Sequence, residues 1–137
     1  MDRLSFARMY LAFCSVSGLH PSEVIISAGG ALLMLGLRDG TDDLDLDVSE
    51  KVYREFKRTT GADKERSSSH GKYLDVTDNI SLHIRPEGIE VQEVEGVWIY
   101  SIADLIKQKT KLSIAPDRLP EKATQDKADI AALETMQ

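Results

Sequence analysis

Apolar and polar residues alternate most strictly in DLDLDV, residues 43–48. That period of two predicts a strand with Leu44 and Leu46 facing a core and Asp43, Asp45 and Asp47 sharing the other face. Upstream, residues 3–16 set Leu4, Ala7, Leu11 and Cys14 at helical spacing, with Phe6, Tyr10 and Phe13 nearby, and Gly18 and Pro21 end that helix. EVIISA, residues 23–28, is short and β-branched, as a buried strand would be. Gly29-Gly30 breaks it, and ALLML supplies one or two helical turns before Gly36.

Downstream, SEKVYREFKRTTG reads as a helix, with Asp47 or Ser49 as its cap and Gly61 as a left-handed C-terminal stop. ADKERSSSHGK is polar and glycine-bounded, hence a loop. KYLDV and ISLHI form a hairpin about Asp78-Asn79, and IEVQEVEGVWIYS gives two strands hinged near Gly96. SIADLIKQKTKL is a helix with Ser101 as N-cap and Asp104 in a capping-box position. APDRLP is a loop before a closing helix, QDKADIAALETM, with Ile130 and Leu133 inward. There is no internal repeat or dividing linker. The pattern predicts one α/β (α+β) domain, a small mixed sheet with helices packed on one face: a helix over 1–18, a sheet-bearing core over 24–100 and helices over 101–137.

Composition changes this picture little. With 137 residues, 42% hydrophobic and 29% charged, the chain is an ordinary globular one. Its net charge of -6 argues against a broad electrostatic grip on nucleic acid. Local basic clusters remain at Arg54, Lys57, Arg58, Lys64, Arg66 and Lys72, and again at Lys107, Lys109 and Lys111. The single cysteine, Cys14, excludes an internal disulfide and sits in an apolar run, as a small core residue does. The opening segment carries charges at 2, 3 and 8, which fits an amphipathic helix and neither a signal nor a membrane span. A cytoplasmic protein without membrane contact is expected.

The aspartate face is the chemical candidate. Residues i and i+2 of a strand stand about 6.6–6.8 Å apart, so Asp43 and Asp45 repel each other with no gain to the fold. Magnesium relieves such repulsion, binding a few carboxylates together with substrate phosphates and water. The diglycine leaves backbone amides uncovered beside a helix start, where phosphate can be cradled. Together they suggest a metal-bound polyphosphate; separately, each is more often a plain turn or a solvated strand face. Asp47, with Glu50 three residues on, fits a helix cap better than a third ligand. An EF-hand is excluded, because Val48 stands where glycine is needed and Arg54 where the closing glutamate belongs. No P-loop motif occurs.

Gly29-Gly30, twelve residues, then Asp43-Leu44-Asp45-Leu46, with Arg38 and Thr41 just before, resembles the signature of the nucleotidyltransferase superfamily. More narrowly, RDGTDDLDL is similar to the R-x-x-T-x-D-h-D-h stretch of minimal and AbiEii-type nucleotidyltransferases of bacteria and phages. VWIYSIADLIKQK resembles that group's later strand and its Leu-Ile-x-x-Lys helix, and DKADIAAL its closing D-x-x-D helix, so the likeness spans about residues 24 to 133.

The resemblance implies transfer of a nucleotide, AMP foremost, from a nucleoside triphosphate to a protein, RNA or small-molecule hydroxyl, with Mg2+ as cofactor. It implies Asp43 and Asp45 as metal ligands and catalytic residues, and Ser27, Gly29, Gly30, Arg38 and Thr41 as substrate contacts. Lys109 is either a phosphate partner or a solvated helix lysine. The superfamily's third acid falls at Ser81, with His83 on the same face; Asp75 is the alternative in another register. His83 is better read as a hydrogen-bonded structural histidine than as a base, and His20 and His70 sit in loops without a role. Gln125 stands where the family often has lysine. The alternative function is a nucleotidyltransferase-fold binding protein without turnover, such as a toxin–antitoxin or phage-defence component. The chain leaves little room for a separate acceptor-binding domain, so a homodimer or partner chain is expected to supply that surface.

Overall fold

A computed structural model describes residues 1–68 and 71–137. His70 therefore lies outside the described residues, as does the end of the polar stretch before it.

The first helix, α1 (Arg3–Ser17), is capped by Asp2, whose carboxylate accepts from Ser5 N at 2.8 Å, and ends at Gly18 with φ 68°. Its buried face is Phe6, Tyr10 and Cys14, while Leu4 and Leu11 stay 59% and 42% exposed. Of the apolar residues at helical spacing only Cys14 is fully buried, and the neighbouring Phe6 and Tyr10 complete the buried face. Aromatic rings bury more area than leucine, and Tyr10 also has polar partners. Its hydroxyl lies 2.7 and 2.8 Å from the carbonyl oxygens of Pro21 and Val24 and accepts from Trp98 N at 3.3 Å. Burial pushes the Cys14 thiol up, in keeping with a core role.

Strand β1 (Ile25–Ile26) runs into helix α2 (Ala28–Met34) through Ala28, whose φ of 55° makes the bend. Gly29 and Gly30 lie inside α2, so the break expected at the diglycine falls one residue earlier. The remaining strands are β2 (Leu44–Val48), β3 (Glu65–Ser68), β4 (Gly71–Asp75), β5 (Ile80–Ile84), β6 (Val91–Val94) and β7 (Val97–Tyr100). They form one mixed sheet in the order β3-β4-β5-β2-β1-β7-β6, with β2 parallel to β5, β1 parallel to β7, and the other neighbours antiparallel. One cross-strand row, Leu74–Leu82–Leu46–Ile26–Ile99, is fully buried and forms the middle of the core. The fold is mixed α/β, as the pattern predicts.

Helix α3 (Glu50–Thr60) starts at Ser49, whose hydroxyl accepts from Val52 N at 3.2 Å; Asp47 takes no part in that cap. Gly61 closes it with φ 107° and ψ 138°, outside the left-handed helical region expected. The polar stretch 65–68, expected as loop, pairs with β4 as an edge strand. It lacks apolar alternation because Arg66, Ser67 and Ser68 are all exposed, which suits an edge. Glu95 and Gly96, with φ 52° and 83°, make the tight β6–β7 turn.

Helix α4 (Ile102–Ser113) is capped by Ser101 as expected, but Asp104 reaches Glu90 N at 2.7 Å and not the cap's own amide. The last helix, α5 (Pro120–Glu134), begins earlier than expected because Pro120 fits the first helical position. Leu133 is fully buried and Ile130 half-buried, and α5 packs along α4. Among the described residues no helix is long and apolar enough to cross a membrane.

Candidate active site

Strand β2 carries the chemistry because its alternation sends Leu44, Leu46 and Val48 into the core and leaves its aspartates on the other face. Burial grows along that row: Asp43 is exposed, Asp45 half-buried and Asp47 buried. The antiparallel register Ile25↔Asp47 and Ile26↔Leu46 directs the chain after β1 toward the Asp45–Asp43 end. Ser27, Gly29, Asp43 and Asp45 consequently line one cleft of about 1410 Å³. Gly30 does not line it. A Cβ there would meet Phe6 Cζ at 2.4 Å and Ile26 Cγ2 at 2.9 Å, so this glycine serves close packing. Ser27 occupies the N-cap position of α2 without a side-chain cap bond, and Ala28 N donates to Gln108 Oε1 at 3.2 Å. A non-glycine residue with φ 55° costs energy, and such strain clusters at functional sites.

Beside β2, the parallel register sets Ser81 next to Asp45 and His83 next to Asp47. Ser81 Oγ donates to Asp45 Oδ1 at 2.7 Å, and His83 Nε2 lies 3.8 Å from the same oxygen. The His83 ring stacks on Tyr73 with centroids 5.5 Å apart. Burial works against the Asp45 carboxylate, but its bonds to His83 and Ser81 outweigh it and leave its pKa lowered. Burial likewise opposes charging His83, yet Asp45, Asp47 and Asp75 together raise its pKa. Asp47, which the sequence assigns to a cap, belongs to the cleft instead. Its Oδ2 accepts from Tyr100 OH, and burial raises its pKa to about 6 despite that bond. Strict alternation already carried the signal, since Asp47 shares the Asp43–Asp45 face.

Asp75 sits on β4, two strands from β2, with Ser81 between it and Asp45 in register. Its carboxylate faces Arg66 Nε at 3.7 Å, and it is not among the cleft-lining residues. Among the described residues no three His, Cys, Asp or Glu side chains converge as a metal-holding group.

The opposite wall comes from α4 and α5. Lys109 is 3% exposed, with Nζ 3.1 Å from both Asp126 Oδ1 and Asp129 Oδ2, so the solvated alternative for it is excluded. Arg118 reaches Asp126 with two nitrogens at 2.9 Å each, and Arg38 Nη2 reaches Asp129 Oδ2 at 2.8 Å. Desolvation works against the Asp126 carboxylate, but Arg118 and Lys109 outweigh it and hold its pKa below the ordinary value. Arg38 and Thr41 both line the cleft mouth near Gly29. The sequence marks Asp126 and Asp129 only as the D-x-x-D of the closing helix and assigns them no role, because nothing local marks their partners. Comparisons with family models, curated proteins and solved structures return no match for this chain.

Proposed function

We propose that the chain is a metal-dependent nucleotidyltransferase-like protein that transfers a nucleoside monophosphate, AMP foremost, from a nucleoside triphosphate to an acceptor hydroxyl. The supporting observation is the convergence of Asp43, Asp45 and the Ser27–Gly29 bend in one cleft. Asp43 and Asp45 lie on its sheet side, facing a wall on which Lys109, Arg118 and Arg38 are already paired with Asp126 and Asp129.

The donor set fits magnesium, which takes hard oxygen ligands from one or two carboxylates plus substrate phosphates. Asp43 is exposed, and Asp45 uses only Oδ1 for Ser81 and His83, leaving Oδ2 without a hydrogen bond among the described residues. Asp43 and Asp45 would hold the ion, and bound magnesium would neutralise charge on the triphosphate and orient it. Ser81 and His83 hold Asp45 in place, and the Ala28 bend brings Ser27 and Gly29 to the cleft. The acceptor hydroxyl bonds through its oxygen to the α-phosphorus and releases its proton to solvent as the α–β anhydride bond breaks and pyrophosphate leaves. The acceptor is a protein, RNA or small-molecule hydroxyl, with a second copy or a partner chain completing its surface.

A second reading, nucleotide binding without turnover in a regulatory or toxin–antitoxin role, is favoured by Ser81 standing beside Asp45 where the resembling superfamily carries its third acid. Two measurements decide. ATP with magnesium is expected to raise the melting temperature of the wild type and not of Asp43→Ala. α-Labelled nucleotide is expected to be transferred by the wild type and not by Asp45→Ala. A melting shift without transfer to any acceptor supports the second reading; neither signal overturns both.

A further inference from the structure

We infer that the main chain of Met1 is a strap across the loop before β2, and that it positions Thr41 and Asp43 for the ligand of the cleft. The inference rests on the nucleotidyltransferase reading for the identity of that ligand, a magnesium-bound nucleoside triphosphate.

Residues 38–43 lead into β2, and Arg38, Asp39, Gly40, Thr41 and Asp43 among them line the cleft. A loop that carries ligand contacts must be held beforehand, because ordering it at the moment of binding subtracts from affinity. Before this loop, Leu37 N donates to Leu32 O at 2.9 Å, and after it Leu44 N donates to Asn79 O at 2.7 Å. Between those ties the loop's backbone-to-backbone bonds among the described residues go to Met1. Met1 N donates to Thr41 O at 2.7 Å, and Thr41 N donates to Met1 O at 3.0 Å. Two residues that exchange both bonds in this way form an antiparallel bridge one pair long. The Asp43 carboxylate makes no hydrogen bond or ion pair among the described residues, so its place is inherited from the loop.

Gly40 makes room for the strap. A Cβ there would stand 2.9 Å from Met1 O, a backbone atom that cannot turn aside as a side chain can. Gly40 has no positive φ, so a side chain at 40 would offend that oxygen and not the local backbone. The root of the strap is fixed in the core. Asp2 caps α1 through Ser5 N at 2.8 Å, and Phe6 N donates to Asp2 O at 3.0 Å. The Phe6 ring is fully buried against Gly30 of α2. Helix α1 thus ties the two sides of the bend together: Phe6 seats it on α2, and Met1 holds the loop that bears Thr41 and Asp43.

A tie that serves only the seating of α1 is the competing account, and it would move stability without moving ligand affinity. Hydrogen exchange at the Thr41 amide, followed by NMR, and calorimetric titration with magnesium-ATP separate the two. Both are measured on the full chain as wild type, Gly40→Ala and Asp2→Ala, with melting temperatures showing that each is folded at the titration temperature. Gly40→Ala is expected to speed Thr41 exchange and to weaken magnesium-ATP about tenfold, as a loop in its competent arrangement about a tenth as often binds that much more weakly. The Leu44 amide, held by Asn79, should keep its protection. Asp2→Ala loosens only the cap at the root of the strap, so exchange and affinity should move together by a smaller factor. It carries the comparison if Gly40→Ala does not fold.

An unprotected Thr41 amide in wild type, exchange that neither variant speeds, or faster exchange with affinity unchanged would overturn the inference and leave the nucleotidyltransferase reading standing. A wild type that binds no magnesium-ATP overturns both.

Discussion

The two walls of the cleft solve the problem of buried charge in opposite ways. On the helical wall, Lys109 sits between Asp126 and Asp129, and Arg118 and Arg38 complete them, so each buried charge meets an opposite one within 3.1 Å. On the sheet wall, Asp43, Asp45 and Asp47 form no ion pair with a lysine or arginine among the described residues: His83 stands beside Asp45, Lys109 and Arg85 act on the row more weakly, and the fold supplies neutral donors, Ser81 and Tyr100. A matched network is sufficient to itself. A row of carboxylates short of cations is not, and that deficit is where a cationic ligand complex gains most.

The largest expected effect tests whether the helical wall is structural. Lys109→Met removes the central cation and leaves two buried carboxylates short of a partner. Chemical denaturation should show a loss of about 3 kcal/mol or more. Asp45→Ala, on the sheet wall, should change stability far less while removing triphosphate affinity. Equal effects on stability would erase the distinction between the walls.

Acid and base should separate the walls next. Asp47 has an ordinary pKa of 3.8 and a folded one of about 6, so the folded protein keeps a proton that the unfolded chain has released. Its penalty is absent below 3.8, grows as pH rises toward 6 and persists above. Asp47→Asn should therefore gain on wild type across that window, by on the order of 3 kcal/mol at neutral pH, in urea titrations without metal. Asp126 behaves oppositely: its folded pKa lies below 3.8, so its contribution is present above that value and is lost as pH falls through the lower one. A gain for Asp47→Asn that is the same at every pH would remove burial as the cause.

Adjacent glycines give the third contrast. Gly30→Ala pushes a methyl into Phe6 and Ile26 and should cost about 1–3 kcal/mol. Gly29→Ala meets only the movable end of Arg38, so its stability should hold or rise by up to about 1 kcal/mol. Thermal melts of the two variants suffice.

How legible each wall was in the sequence follows from the same physics. The sheet wall was readable because alternation is local: DLDLDV names its own two faces. Asp47 was misplaced because a nearby helix start offered it a second local role, and Ser49 took that role instead. The polar edge strand β3 was invisible because neither of its faces needs apolar residues, and its pairing comes from β4. The buried face of α1 was left open by the sequence because two sets of apolar residues fit the helical period, and tertiary partners of Tyr10 chose between them. The helical wall was the least legible. Lys109 finds Asp126 across 17 positions and Arg38 finds Asp129 across 91, distances at which no spacing rule operates.

The smallest expected effect is the most pointed, because it asks what holds Asp45 ready. Ser81→Ala removes one neutral hydrogen bond at a half-buried site and should cost only about 1 kcal/mol. Yet Ser81 is one of the two groups whose bonds outweigh the burial of Asp45, the other being His83. Without it the carboxylate loses stabilisation as an anion, so its pKa should rise, and His83 should then carry more of the remaining interaction. Carboxyl-carbon NMR titration of Asp45 in wild type and Ser81→Ala would measure that rise. An unmoved Asp45 would mean that His83 alone sets its charge, and that the serine beside it is only packing.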